Sequence, residues 1–203
     1  MNFWKDFIEA VERKFEGFTD ILDLGASEET IDNFSSDLEL DLPSDFREIY
    51  QLANGQKDKS TAYFFGMAFL SIDEIKIAMS NEIKLIDELS GEDDMCSSFP
   101  EGYINCKYAS RKWVPIFHAG NGGYVGIDLD PGEKGKAGQI INFGINDEDK
   151  FVLAESLEDF IKLCTGKLVV GKEIEFNKEL RMYFYTNTTF RDALAKEVMA
   201  QNA

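Results

Sequence analysis

The sequence has few cysteines, a single histidine and no long apolar run. Its three cysteines, Cys96, Cys106 and Cys164, are odd in number and lack C-x-x-C spacing. They indicate neither a disulfide framework nor a zinc site, and reduced thiols are expected. The longest apolar stretch, residues 63–72, is interrupted by a glycine and a serine and is shorter than the ~18 residues of a spanning helix. We therefore predict no metal, no cofactor and no membrane span.

Basic residues are scarce relative to acidic ones. The chain has 21 Lys and Arg against 38 Asp and Glu, a formal net charge of -17 at pH 7. A surface of this sign disfavours nucleic acid and anionic membranes as partners and favours cationic proteins, whose approach it steers. Charged residues interrupt every apolar run in residues 1–15, so no signal peptide is predicted and a cytoplasmic location is expected.

The residues that are abundant are typical of a globular protein. Hydrophobic residues make up 44% of the chain and aromatic residues 13%, with 17 Phe, which argues against disorder despite the charge. A length of 203 residues favours one hydrophobic core over two. No internal repeat and no Pro- or Ser-rich linker divides the chain.

Residues 113–130, WVPIFHAGNGGYVGIDLD, predict a central hairpin, because β-forming residues flank a small, polar, glycine-rich turn. In the second strand every other residue from Val125 to Leu129 is aliphatic. This alternation predicts one face in the core, with Asp128 and Asp130 together on the opposite, polar face.

The first strand of the hairpin is apolar on both sides. Simple alternation places Trp113 and Phe117 on one face and Val114 and Ile116 on the other, which favours a strand covered on each side. Pro115 lacks a backbone donor, so we predict a bulge or an unpaired stretch there.

Helices and shorter strands are predicted around this hairpin from apolar periodicity and capping residues. Residues 90–111 show no sustained period and are predicted to be a mobile surface loop, and the pattern after Leu168 is ambiguous until a short helix near residues 191–199. The other predicted strands are 62–70, 139–143 and 151–153. The other predicted helices are 2–18, one capped by Ser27 that buries Ile31 and Phe34, one after Pro43 with Ser44 as a cap and Asn54-Gly55 as its stop, one opened by Ser71 and Glu74 that reaches Ile86, and one from Ser156 to Gly166.

Two segments carry a resemblance to a known family. They are LPSDFREIYQLANG, at Leu42 to Gly55, and KWVPIFHAGNGGYVGIDLDPGEKGKAGQIINF, at Lys112 to Phe143. In this order they resemble the SUKH superfamily, which includes the fungal Smi/Knr cell-wall-assembly regulators and many bacterial proteins. Gly123 is a departure, because relatives often have Asn or Asp there. The resemblance implies an α+β fold, a single domain with a mainly antiparallel sheet flanked by helices.

The resemblance also implies a division of the chain and a function. We expect an N-terminal amphipathic helix packing on the core in residues 1–25, a SUKH-like domain in 26–168 and a C-terminal extension in 169–203. Bacterial members are largely immunity proteins that bind polymorphic toxins, often nucleases, and fungal members act as regulatory scaffolds. The first hypothesis is therefore a non-enzymatic immunity protein for a cationic toxin domain, since an acidic protein suits a basic nuclease cleft. The alternative is a regulatory scaffold of the cell-wall-assembly type, and a small hydrolase is the third reading.

Several residues raise chemical alternatives. Asp128 and Asp130 could form a general acid/base pair or bind a metal, but Asp before Pro-x-Gly favours a turn-stabilising role. Any triad would need His118, for which a hydrogen-bonded strand histidine is favoured. No helix start or Gly-Lys-Ser/Thr follows residues 120–123, so a turn with positive φ angles is preferred there to a phosphate loop. No catalytic residue is assigned.

The remaining candidates concern a protein partner and the family segments. For Trp113 a core position is favoured, whereas Tyr124 fits an interface and a core equally well. The acids of the predicted loop are either solvated or face a toxin. The partner-binding candidates are Glu92, Asp93, Asp94, Asn121, Tyr124, Asp128 and Asp130. The structural positions are Pro43, Gly55, Trp113, Pro115, Gly120, Gly122 and Gly123.

Overall fold

The predicted central hairpin forms the middle of a six-stranded mixed sheet. The computed structural model describes residues 2–58, 64–88, 96–119, 122–144, 147–171, 174–177, 179, 182–185 and 189–201. The helices are α1 (Phe3–Glu12), α2 (Phe18–Ile21), α3 (Glu28–Asp37), α4 (Ser44–Leu52), α5 (Ile72–Glu88), α6 (Leu157–Val170) and α7 (Phe190–Gln201). The strands are β1 (Leu22–Leu24), β2 (Ala53–Gln56), β3 (Ala68–Phe69), β4 (Ser97–Phe99), β5 (Trp113–His118), β6 (Gly123–Asp128), β7 (Gln139–Gly144), β8 (Asp149–Ala154), β9 (Ile174–Asn177) and β10 (Met182–Tyr185).

The strand order in the sheet is β3-β5-β6-β7-β8-β4. Neighbouring strands are antiparallel except β4 and β8, which are parallel. Strands β1 and β2 form a separate antiparallel pair, as do β9 and β10. The expected fold class is thereby confirmed: an α+β domain with a mainly antiparallel sheet flanked by helices.

The predicted bulge in β5 is confirmed. Pairing moves from Pro115↔Gly126 to Phe117↔Val125, so Ile116 is the extra residue on its strand. A side chain at Gly126 is excluded there, since an added Cβ would lie 2.1 Å from the Val114 carbonyl oxygen. The bulge reverses the alternation of side chains beyond it. It therefore overturns the prediction that Trp113 and Phe117 share a face.

The sheet separates a large core from a small one. Phe117 packs into the large cluster with Val114 and Ile116, and α1, α4 and α6 contribute to the same cluster. On the opposite face a second cluster consists of Ile104, Trp113, Ile141 and Phe143. The predicted polar face of β6 is thus covered, because residues from the 96–111 segment cross it. The favoured core position of Trp113 agrees with its 1% exposure.

Two predicted helix starts are confirmed. Ser27 caps α3, with its Oγ accepting a hydrogen bond from the Thr30 N–H, and Ile31 and Phe34 are fully buried. At α5 the Ser71 N–H donates to Glu74 Oε2 at 2.7 Å and the Glu74 N–H donates to Ser71 Oγ at 3.4 Å. These reciprocal bonds satisfy backbone donors that the first turn of a helix leaves open.

Three predicted helix ends are wrong. Helix α1 ends at Glu12, although the pattern predicted a helix through residue 18. Helix α4 has Pro43 at its N-cap and Ser44 as its first residue, and it ends at Leu52. Asn54 and Gly55 belong to β2, where Asn54 Oδ1 accepts from the Ile72 N–H. Gly55 has a φ of +82 and packs closely against the Ser71 backbone. Helix α6 continues through Gly166 to Val170. An added Cβ at Gly166 would meet no atom within 4 Å, so the helix tolerates this glycine.

The predicted loop at residues 90–111 contains β4 and a disulfide. The Cys96 and Cys106 sulfurs are bonded, with their Cα atoms 5.6 Å apart, which corrects the expectation of reduced thiols for this pair. Cys164 is free and buried, and burial raises the pKa of its thiol. No helix among the described residues is long and apolar enough to cross a membrane.

Candidate functional site

Among the predicted site residues that the structure describes, Asp128 accepts the most side-chain hydrogen bonds. Its carboxylate is fully buried and accepts hydrogen bonds from Trp113 Nε1 at 3.0 Å, Gln139 Nε2 at 2.9 Å and the Asp130 N–H at 2.9 Å. Burial raises the pKa of the Asp128 carboxyl, and the hydrogen bonds partly offset that rise. A partner approaching the surface does not reach this group. Asp128 joins β5, β6 and β7 at one end of the sheet.

Asp130, two residues further along, is partly exposed. Its Oδ2 accepts from Lys107 Nζ at 2.9 Å, and its backbone oxygen accepts from Asn105 Nδ2 at 3.2 Å. Asp128 is buried and Asp130 is partly exposed, so the two carboxylates do not form an exposed pair. The residues that the structure describes contain no group of three or more His, Cys, Asp or Glu able to hold a metal ion.

His118 and Tyr124 lie opposite each other at the turn end of the hairpin. Both are partly buried, and their ring centroids are 5.3 Å apart. Burial lowers the pKa of His118 and raises the pKa of Tyr124, and nearby Glu82 raises the pKa of Tyr124 further. Tyr124 also contacts Phe143, at 5.7 Å between centroids. Tyr124 therefore belongs partly to the second cluster and partly to the surface.

A buried cation lies above the second cluster. Lys150 is 1% exposed, its Nζ donates to the Asp147 carbonyl oxygen at 2.7 Å, and it sits 5.3 Å from the centre of the Trp113 ring. Arg191 of α7 pairs with the Asp147 carboxylate at 2.8 Å. These contacts provide the negative and aromatic partners that a buried cation needs. No sequence pattern distinguished Lys150 as buried, because it directly follows a run of charged residues, Asp147 to Asp149.

Glu82 of α5 is a second buried charge that sequence reasoning missed. Its residue exposure is 8%, and Oε2 is buried with no hydrogen-bond partner. Burial raises the pKa of the Glu82 carboxyl, and attraction to Lys150 opposes that rise. Its position was available in the sequence: Glu82 follows buried Ala78 by four residues and Met79 by three, on the buried side of α5.

The stability advantage of Glu82→Gln over wild type should increase as pH rises. Because the folded pKa is raised, the stability that Glu82 contributes is present below its unfolded pKa and is lost as pH rises through the folded pKa. The amide carries no charge to desolvate, so a gain on the order of 1 kcal/mol over wild type is expected at pH 8. Urea unfolding between pH 4 and pH 8 measures this difference.

The control is Glu133→Gln, which removes a carboxylate from the exposed loop after β6. Its difference from wild type should stay nearly constant over the same range. If E82Q instead loses stability relative to wild type as pH rises, attraction to Lys150 outweighs the burial of the carboxylate.

The other predicted positions either lie in turns and secondary-structure elements or fall outside the described residues. Gly122 has φ +86, as expected for the turn, and Gly123 begins β6. Pro43 lies at the start of α4, Gly55 lies in β2, and Trp113 and Pro115 lie in β5. Gly120, Asn121, Glu92, Asp93 and Asp94 lie outside the described residues, so their roles stay predictions.

A groove alongside β8 was not predicted. It has a volume of about 470 Å³ and lies between the 100–103 segment, β8, α6 and α7. Most of its lining is apolar, with two glutamates among the lining residues. The lining residues are Pro100, Tyr103, Val152, Leu153, Ala154, Glu155, Leu163, Leu194, Glu197 and Val198.

The strand order, the bulged β5–β6 hairpin and the buried Asp128 define an α+β protein whose central polar groups hold the sheet together. The chain belongs to the SMI1 / KNR4 family (SUKH-1), whose model matches residues 25–163. This confirms the resemblance drawn from the two sequence segments.

Fungal proteins are among the named relatives of this chain. The chain is 31% identical over 174 residues to "Cell wall biosynthesis/cell cycle regulator smi1" of Schizosaccharomyces pombe, covering 79% of this chain and 34% of the relative. It is 26% identical over 176 residues to "Cell wall assembly regulator SMI1" of Saccharomyces cerevisiae, covering 70% and 35%. It is 24% identical over 206 residues to "Glucan synthesis regulatory protein" of Neurospora crassa, covering 83% and 38%. The chain thus spans about a third of the length of these relatives.

Proposed function

We propose that this chain is a non-enzymatic protein-binding module that acts as a regulatory scaffold in cell-wall assembly. The observation that carries the proposal is the family match over residues 25–163 together with relatives named as regulators of the wall or of glucan synthesis. This is the alternative hypothesis drawn from the sequence, and the relatives favour it over the immunity hypothesis. The compartment in which it acts is expected to be the cytoplasm.

The geometry of the predicted chemical groups supports a binding role. Asp128 is occupied by three hydrogen bonds, and Asp130 forms an ion pair with Lys107. His118 contacts Tyr124 across the hairpin. Each of these groups has a structural partner, and surface residues remain to recognise another protein.

Deletion of the gene in its native host tests the proposal. We expect increased sensitivity to wall-digesting enzymes and an altered glucan content, both restored by a plasmid copy. Asp128→Ala, which should destabilise the fold, is the control for a folded module and should restore the wall less well than the wild-type copy. An unaltered wall in the deletion strain would contradict the scaffold proposal.

Immunity against a cationic toxin remains a second candidate, and the net charge of -17 is the observation that favours it. Attraction between opposite charges should raise the association rate by ~10-fold to 1,000-fold at low salt. Stopped-flow association with the product of a neighbouring toxin gene, measured over a salt series, tests this candidate. Absence of binding, or a rate independent of salt, would count against it.

A further inference from the structure

The sheet has an open edge at the end of β8. Strand β4 pairs with β8 from Ser97↔Asp149 to Phe99↔Phe151, whereas β7 pairs with β8 as far as Ala154. In the part of the chain that the structure describes, no strand lies beside residues 152–154 on the β4 side. The second half of β8 is therefore an edge, although its first half is an inner strand.

The groove coincides with this edge. Four consecutive residues, Val152 to Glu155, line it. A cavity bounded by consecutive residues runs along the strand, and the register between β7 and β8 shifts between Val152 and Ala154. The backbone of β8 also faces this edge. The Glu148 carbonyl oxygen accepts from the Ser97 N–H at 3.0 Å, so Glu148 directs its polar groups toward the β4 side. Alternate residues of a strand direct their polar groups to the same edge. Val152 is in phase with Glu148.

One wall of the groove is held away from the edge. After β4 the chain turns, with the Tyr103 N–H donating to the Pro100 carbonyl oxygen at 3.2 Å. The Tyr103 carbonyl oxygen accepts from the Gly132 N–H at 3.0 Å and from Gln139 Nε2 at 2.9 Å. An added Cβ at Gly135 would lie 2.0 Å from the same oxygen. This tight packing holds the 100–103 segment against the loop after β6. The space beside β8 in the direction that β4 would continue is therefore left open.

The opposite wall is formed by α6 and α7. Leu163 and Val198 are partly buried there, and Leu194 is 3% exposed. Helix α7 is held by the ion pair between Arg191 and Asp147 at 2.8 Å and by one between Lys167 and Glu197. The wall is apolar and anchored at two points.

The charge at the rim indicates the occupant. Glu155 is exposed, and the Glu197 side chain is 46% exposed despite its pairing with Lys167. The chain as a whole carries -17. An extended segment with apolar side chains between the walls and basic side chains at the rim would complement both features.

We propose that this groove binds an extended segment of a partner protein, which adds a strand beside Val152–Ala154 in continuation of β4. The segment has aliphatic side chains that enter between Tyr103 and Leu163 and Lys or Arg side chains near Glu155. Backbone hydrogen bonds to the open edge supply affinity, and the apolar walls and the acidic rim supply specificity. The inference rests on the proposed function, since it names the surface by which the module would contact a partner.

The test uses the full chain and a labelled heptapeptide of alternating lysine and valine. Fluorescence anisotropy at 0.15 M salt measures affinity, and amide chemical shifts locate the peptide. We expect shifts concentrated at Val152 to Glu155. A peptide of the same sequence with alternate backbone amides N-methylated keeps the charge but loses donors, so it should bind at least tenfold more weakly.

Glu155→Lys is the decisive variant, and Glu16→Lys is its control, because Glu16 is exposed in the turn after α1 and the change in net charge is the same. E155K should weaken peptide binding on the order of tenfold and E16K less than twofold. Equal losses in both variants, equal binding of the methylated peptide, or shifts away from β8 would each overturn the proposal. So would a concentration-dependent dimer that E155K dissociates, since a second copy would then fill the groove. The wall phenotype of the deletion strain does not depend on this peptide, so failure of the groove and failure of the proposed function are distinguishable.

Discussion

The Asp128→Ala variant is expected to lose about 3 to 5 kcal/mol of unfolding free energy, because each buried donor left without a partner costs ~1–3 kcal/mol. Three donors would lose their acceptor: Trp113 Nε1, Gln139 Nε2 and the Asp130 N–H. The first two side chains are buried at 1% and 2% exposure, where water does not replace the carboxylate. Chemical denaturation at pH 7, followed by tryptophan fluorescence, measures the loss.

Asp130→Ala is the matched control, since it removes the same group two residues further along. Its ion pair with Lys107 is exposed, with side-chain exposures of 37% for Asp130 and 45% for Lys107. Exposed pairs contribute ~0–1 kcal/mol, so D130A should remain close to wild type. If both variants lose similar amounts, the bonds to buried Asp128 do not hold the sheet as the geometry indicates.

The second large effect is expected at Trp4, in the N-terminal helix. Trp4 is 3% exposed, and its ring lies 6.0 Å from that of Phe64 and 5.7 Å from that of Phe69. Replacement by alanine leaves a large cavity between α1 and the rest of the core. Trp4→Ala should therefore reduce the unfolding free energy by about 3 to 5 kcal/mol. Thermal and urea unfolding both report this change.

Lys5→Ala is the control on the same helix, because Lys5 is exposed and only its backbone N–H bonds to Asn2 Oδ1. Its stability should change by less than about 0.5 kcal/mol. A small effect of W4A would mean that α1 is separable from the domain, as a family match beginning at residue 25 would allow. A large effect would show that α1 unfolds cooperatively with the domain.

Local sequence determined the elements whose signals lie within a few residues. The cap at Ser27 and the Ser71–Glu74 capping box formed as predicted, because each requires partners only three residues apart. The hairpin, its bulge at Pro115 and strand β7 followed from alternation, from the missing proline donor and from β-forming residues. The family and the α+β class followed from two segments read in order.

Only the tertiary structure decided which polar residues are inside. Alternation placed Asp128 and Asp130 on one polar face, but it did not show that the first is buried and the second only partly exposed. Nothing local to Lys150 predicted its contact with Trp113, which is 37 residues away in the sequence. Burial depends on what crosses a face, and residues from the 96–111 segment cross this one.

The groove beside β8 has the same origin. Its existence depends on β4 pairing with only the first half of β8 and on Tyr103 bonding to a loop near Gly132. Alternation within β8 specifies which residues share a face, but not which neighbouring strand continues beside them. The length of a neighbouring strand is set by contacts between distant segments. An edge that could accept another protein therefore becomes visible only when those segments are in place.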